Sequence, residues 1–340
     1  MIPRTVPLWQ IQTWQEQLKN VIKDPQELCA LLNLDCDQLI TTHGQDLNKA
    51  NQQFILRVPT HFVRRMEIGN LHDPLLLQVL PQAQEIVEHH AYSQDPLEES
   101  KAYKAQGIIQ KYPGRVLLLA ASACAIHCRY CFRRHFPYEE HRPSKAAWEE
   151  SLATIREDES IKEVIFSGGD PLAANDQHLS WLTEKIAAID HVDTLRIHTR
   201  LPIVIPERID EHCLKWLNQD RLQVIMVVHC NHANEIDESV GDAIAKVRQL
   251  GITVLNQSVL LKGVNDSLDA LHTLSKKLFK IGVLPYYLHL LDRVAGTNHF
   301  EVPMEQALSL HQDLRNSLPG YLVPRLAQEI PGRSAKQILN

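Results

Sequence analysis

From Arg115 onward the chain repeats one beat: a short run of β-branched and aliphatic residues, a polar or glycine-rich turn, then a longer stretch with helical periodicity. Six such runs stand out, at residues 116–120, 163–166, 195–198, 223–228, 253–259 and 286–290, and helix patterns at 178–189 and 234–250 lie between them. Most strand starts are roughly 30 residues apart, the span of a βαβ unit. Right-handed crossovers between parallel strands leave two architectures, a barrel or an open sheet. In both, the groups that do chemistry collect at the carboxyl ends of the strands. Six units fall short of a closed eight-stranded barrel.

The first 100 residues read differently. Helical stretches are expected at 8–22, 25–32 and 58–69, with Pro74 and Pro96 breaking the pattern. We therefore divide the chain into a helical N-terminal subdomain over 1–100, an α/β unit over 101–320 and a C-terminal segment over 321–340. With 340 residues, 44% of them hydrophobic, the chain is long enough to bury a large core. A net charge of −6 offers no basic footprint for nucleic acid. No run approaches the roughly 20 apolar residues of a membrane span, and residues 1–9 lack a signal-peptide core, so a cytoplasmic protein is expected.

Directly after the first strand come Cys124, Cys128 and Cys131 in a C-x3-C-x2-C pattern. Thiolates so spaced suit a soft metal centre, and three of them satisfy three irons of a [4Fe–4S] cluster, leaving the fourth iron open to a ligand. The competing reading is zinc, which wants a fourth Cys or a placed His; the nearest candidates are His127 and His135. Seven cysteines, an odd number with three clustered, do not read as a disulfide framework, and Cys29, Cys36, Cys213 and Cys230 are expected to be buried thiols.

The triad, with Tyr130 before its last cysteine, resembles the cluster loop of the radical S-adenosylmethionine enzymes. That resemblance implies a partial (β/α)6 TIM-like barrel and S-adenosylmethionine chelated to the open iron. Ser167, Gly168, Gly169 and Asp170, after the second strand, resemble the glycine-rich segment that receives the methionine amine in that family. On their own they would read equally as a turn.

Further blocks narrow the resemblance to the lysine 2,3-aminomutase family, spanning roughly residues 95 to 336. In the order Cys131-Phe-Arg133-Arg134, the first arginine matches the residue that clamps the substrate carboxylate, a task suited to a guanidinium fork. Lys111, Tyr112 and Arg115 resemble a segment that binds the phosphate of pyridoxal 5′-phosphate. His229 and Gln257, ending the fourth and fifth strands, match other cofactor blocks. Asp292 matches a carboxylate that holds the distal ammonium of lysine, and Glu329 stands where the family has an aspartate with the same task. Lys336, seven residues later, matches the lysine that attaches pyridoxal phosphate covalently; Ile-Pro-Gly-Arg-Ser-Ala replaces the family's glycine-rich stretch between the two.

The resemblance implies an isomerase that moves the α-amino group of L-lysine to Cβ, giving (R)-β-lysine, with a flavodoxin or ferredoxin as reductant. It is closest to the shorter branch, which supplies β-lysine for modification of elongation factor P by a separate lysyl ligase. Two alternatives stand beside it: an aminomutase acting on glutamate, arginine or a protein-bound lysine, and a zinc or iron–sulfur binding protein without turnover. Asp292 argues against glutamate, which would bring a second carboxylate against it.

Overall fold

The computed structural model describes residues 13–35, 47–137 and 145–339. Ten strands form one sheet in strict chain order: β1 (Tyr103–Ala105), β2 (Ile108–Tyr112), β3 (Arg115–Ala121), β4 (Glu163–Gly168), β5 (Thr194–Thr199), β6 (Gln223–His229), β7 (Thr253–Val259), β8 (Leu284–His289), β9 (Arg325–Gln328) and β10 (Gln337–Ile338). Every neighbouring pair from β3 to β9 is parallel, while β1–β2–β3 and β9–β10 are antiparallel. All six expected strands are present within about two residues, and six helical crossovers separate β3 from β9. Among the described residues no pairing joins the last strand to the first, so the (β/α)6 unit is an open, partial barrel.

The strands read clearly because their two faces differ. Val164 and Phe166 of β4, Leu195 and Ile197 of β5, and Val224, Met226 and Val228 of β6 pack outward into a core shared with Leu152 and Ile155 of helix Lys145–Glu157, Leu179 and Leu182 of helix Asp176–Ala187, and Val240 and Ile244 of helix Glu238–Gln249. At roughly 25 cal/mol per Å² of apolar surface removed from water, this layer supplies the main driving force for the barrel. The alternate residues, Ser167, Arg196, His198, His229 and Gln257, point inward and line a cavity. A period of two thus sorts the sequence into an apolar outer face and a polar inner one.

β9 and β10 went unrecognised in the sequence. β9 is four residues long and follows Pro324, and β10 has two. Their antiparallel register sets Gln337 against Gln328, which brings the flanking residues 336 and 329 together. The tail is therefore a sheet element and not a frayed end.

In the N-terminal region, helices run over Trp14–Lys19, Pro25–Leu31, Leu47–Gln53, Thr60–Val63 and Pro74–Leu77. Residues 8–12 of the first expected helix lie outside the described set, as does Cys36. The stretch expected over 58–69 keeps only one turn, because Val58 pairs with Ile22 as a β-bridge and Arg65 reaches away to the carbonyls of Ile203 and Glu235. Pro74 does not break a helix but opens one, with Asp73 Oδ1 accepting from Leu75 and Leu76 N–H at 2.8 and 2.9 Å, a cap that satisfies otherwise orphaned donors. Cys213 and Cys230 are buried free thiols, whereas Cys29 is disulfide-bonded and not the thiol expected.

Candidate active site

The cysteine loop leaves β3 and is fixed from both sides. On the N-terminal side Arg57 Nε donates to the Cys124 carbonyl at 2.6 Å, and the N–H groups of His127 and Arg129 donate to the Arg57 and Gln78 carbonyls, each at 2.9 Å. On the barrel side Gly169 and Asp170 N–H donate to Ala121 and Ala123 carbonyls, each at 2.9 Å. A Cβ on Gly168 or Gly169 would collide with those same carbonyls, and Gly168 also has φ +122°. The glycines are thus required by close approach of the cysteine loop's own backbone, a reason different from the ligand contact the sequence suggested.

Asp170 also differs in its task. Its buried carboxylate accepts from Leu172 N–H (3.0 Å), Thr199 Oγ1 (2.6 Å), Arg200 N–H (2.7 Å) and Leu201 N–H (3.1 Å), so it ties the end of β4 to the end of β5 and its oxygens are engaged within the protein.

Cys124, Cys128 and Cys131 line one wall of a cavity of about 760 Å³. Burial pushes the Cys124 thiol up, and burial together with Cys128 pushes Cys131 up to about 11, so a bound metal centre would have to supply the charge that keeps these sulfurs as thiolates. The two neighbouring histidines are turned to backbone: His127 Nδ1 donates to the Ile55 carbonyl (2.7 Å) and His135 Nε2 to the Ala295 carbonyl (3.1 Å). Each keeps its other ring nitrogen free, but among the described residues no group of three or more His, Cys, Asp or Glu side chains is drawn together closely enough to hold a single metal ion. The donor set of three thiols facing open space fits a cluster with one free iron.

Every other sequence-derived site residue lines the same cavity: Lys111, Tyr112, Arg115, Arg133, Ser167, Gly168, Gly169, Asp170, His229, Gln257, Asp292, Glu329 and Lys336. On one wall Glu329, delivered by the end of β9, bonds Lys336 Nζ across the hairpin and Lys111 Nζ at 2.8 Å. Burial raises the Glu329 carboxyl, but Lys336 and Lys111 outweigh it and hold the group below the usual carboxylate range. The expected ammonium ligand is thus paired to the expected cofactor lysine.

Arg133 Nε and NH2 clasp Glu99 at 2.7 and 2.8 Å, while NH1 donates to Ser167 Oγ (3.1 Å) and the Gly168 carbonyl (3.3 Å). Glu99 also accepts from Lys111 Nζ at 2.9 Å. Burial pushes Glu99 up, yet Arg133 and Lys111 hold it at about 2. Asp292 is the opposite case: burial and the nearby Glu329 charge push it up to about 7, and no ion pair to its side chain is formed among the described residues. It is a carboxylate waiting for a cation.

Sequence reasoning missed several lining residues. Glu99 sits in a polar loop with no pattern to mark it. His198, Arg200 and His289, however, stand at or just after strand ends, where the rule already used for His229 would have found them. Burial keeps His198, His229 and His289 neutral, lowering His198 well below its ordinary value, His229 to about 4 and His289 to about 3. Their rings add polarity without charge. Arg115 Nε, Arg196 Nε and His198 Nε2 are buried with no hydrogen-bond partner. Orphaned donors beside Lys111, Tyr112 and Lys336 fit a phosphorylated aldehyde cofactor, whose phosphate would satisfy them.

A family model described as a 4Fe-4S single cluster domain matches residues 111–198. Over 338 residues the chain is 46% identical to an L-lysine 2,3-aminomutase of Haemophilus influenzae, covering 99% of this chain and 98% of that protein. It is 47% identical over 329 residues to an L-lysine 2,3-aminomutase of Escherichia coli, covering 97% and 95% respectively. A third relative, of the same description from Clostridium subterminale, is 31% identical over 325 residues, with 95% of this chain and 76% of that protein covered.

Proposed function

This chain belongs to the lysine 2,3-aminomutase family, and on that footing we propose that it is a radical S-adenosylmethionine isomerase that takes free L-lysine to (R)-β-lysine with pyridoxal 5′-phosphate. The observation that carries the substrate reading is the pairing pattern of one cavity: a guanidinium held by a carboxylate at one place and, at another, a half-buried carboxylate, Asp292, with no ion pair among the described residues.

The cluster with S-adenosylmethionine would supply a carbon-centred radical able to take hydrogen from Cβ, and pyridoxal phosphate would carry the nitrogen from Cα to Cβ. Cys124, Cys128 and Cys131 hold the cluster. Gly168, Gly169 and the adjoining β4 backbone shape the ledge beside it, with His229 and Gln257 on the neighbouring strands. Lys111, Tyr112 and Arg115 address the phosphate, and Lys336 is the covalent anchor. Before cofactor binding, Glu329 bonds Lys336 Nζ and keeps that side chain inside the cavity. The protein's contribution is positional, since misplacement of the reacting carbon by an ångström costs orders of magnitude in rate.

Arg133 receives the substrate carboxylate and Asp292 the distal ammonium, so the two ends of lysine are fixed in the cavity that the three cysteines also line. Arginine also ends in a cation, but its planar fork is larger than an ammonium; glutamate would set a third carboxylate beside Asp292 and Glu329. We further read the product as the β-lysine used to modify elongation factor P, with a flavodoxin or ferredoxin as electron donor.

The test is anaerobic turnover of the cluster-reconstituted, reduced protein with S-adenosylmethionine, pyridoxal phosphate and L-α-lysine, with chiral chromatography of the product. (R)-β-lysine that vanishes in Cys128→Ala supports the reading. Cleavage of S-adenosylmethionine with lysine untouched would overturn the substrate assignment and leave the cluster chemistry standing.

A further inference from the structure

Behind Cys128 lies a buried cation that the reaction scheme does not use. Arg200 follows β5, and its backbone N–H is already anchored to Asp170. Its guanidinium is held at both arms. NH2 donates to Glu235 Oε2 (2.9 Å) and Gln78 Oε1 (2.7 Å), and NH1 donates to Cys128 Sγ (2.6 Å) and the Tyr130 hydroxyl (2.8 Å). Arg200 is 6% exposed and Glu235 fully buried. Glu235 is fixed in turn by Gln78 Nε2 (3.1 Å) and by the N–H groups of Asn231 (2.9 Å) and His232 (3.0 Å). No freedom remains for the guanidinium to swing elsewhere.

Burying a charged donor against a neutral thiol gains little, because a protonated sulfur is a weak acceptor. Against a metal-bound thiolate the same contact is a charge-assisted hydrogen bond. Hydrogen bonds and charge at the ligating sulfurs are among the levers that set a cluster's reduction potential.

We propose that Arg200, with Glu235 as its counter-charge, sets the reduction potential of the cluster through the sulfur of Cys128. Adding an electron makes the cluster more negative; the Arg200 charge stabilises that state and Glu235 opposes it. The two residues therefore act with opposite sign. This rests on Cys128 being a cluster ligand.

The experiment is a redox titration of the cluster-reconstituted protein, without S-adenosylmethionine or pyridoxal phosphate, followed by electron paramagnetic resonance. Arg200→Met is expected to move the midpoint to more negative values, and Glu235→Gln to more positive values, with iron and sulfide contents unchanged. Arg200→Lys, which keeps the charge but cannot reach both Glu235 and Cys128, is expected to fall between Arg200→Met and the parent, and serves if the methionine variant does not fold. Midpoints that stay put, or that move in the same direction in the arginine and glutamate variants, overturn the proposal. A Cys128→Ala protein that still holds its full cluster overturns the ligand reading itself, which separates that failure from a failure of tuning.

Discussion

The cysteine loop has a back and a front, and each carries a carboxylate between two cations. At the back Glu85 accepts from Arg129 Nε at 2.8 Å and from Arg134 NH2 at 2.7 Å, all three side chains being almost wholly buried. Arg129 also reaches the Phe54 and Ala50 carbonyls, and Arg134 the Arg129 and Gly296 carbonyls. At the front Glu329 lies between Lys111 and Lys336, but these groups face an open cavity lined by orphaned donors. The difference is access: Glu85 and Arg129 are shut away from the cavity that Glu329, Lys111 and Lys336 line. A buried ion triad whose spare donors end on backbone is a fixed rivet, whereas one whose partners can be exchanged for a ligand is a site.

The comparison breaks most visibly at the rivet. Glu85→Ala leaves two guanidinium groups buried without their carboxylate and is expected to cost about 3–5 kcal/mol in urea denaturation. Lys336→Ala, by contrast, is expected to change stability by no more than about 1 kcal/mol, yet to abolish both turnover and the visible absorbance of lysine-bound cofactor while the iron–sulfur spectrum persists. If the two variants were equally destabilised, the distinction between back and front would fail.

Asp292→Asn should lower kcat/KM for lysine by about 10- to 100-fold, the loss of one charge-assisted hydrogen bond, with cofactor absorbance retained. The pH dependence sharpens this. With its carboxyl raised to about 7, Asp292 is neutral in the free protein below that pH and gains its charge above it. KM for lysine should therefore rise as pH falls from 8 to 6, and that slope should flatten in Asp292→Asn; an unchanged slope would detach Asp292 from the ammonium. The smallest effect is expected from Glu329→Asp, where a carboxylate one methylene shorter reaches Lys336 or Lys111 but not both. A few-fold weaker affinity for pyridoxal phosphate, measured by equilibrium titration, is the anticipated result.

The sequence disclosed the barrel because its strands alternate between helix-facing aliphatics and cavity-facing polar residues, a pattern that Val164-Ile165-Phe166-Ser167 and Leu195-Arg196-Ile197-His198 display directly. It did not disclose β9 and β10, whose six residues are too few for any period to register. Local motif reading located the cysteines and the glycine pair, since their constraints act within a few residues. It missed Glu99 and the tie that Asp170 makes between β4 and β5, because what decides those contacts is a partner far along the chain, Arg133 for the one and Thr199 with Arg200 for the other. Burial and unmet hydrogen bonding are tertiary properties; spacing alone does not carry them.

Strict chain order in the sheet has a consequence for synthesis. Domains emerging from the ribosome take shape from the N-terminal end, and here each strand finds its neighbour in the one made just before it. The cysteine loop can thus be in place long before β9 and β10 emerge, and the hairpin carrying Glu329 and Lys336 is added last. On the function proposed above, a nascent chain would own the seat for its inorganic centre before it owned the lysine proposed to anchor an organic one.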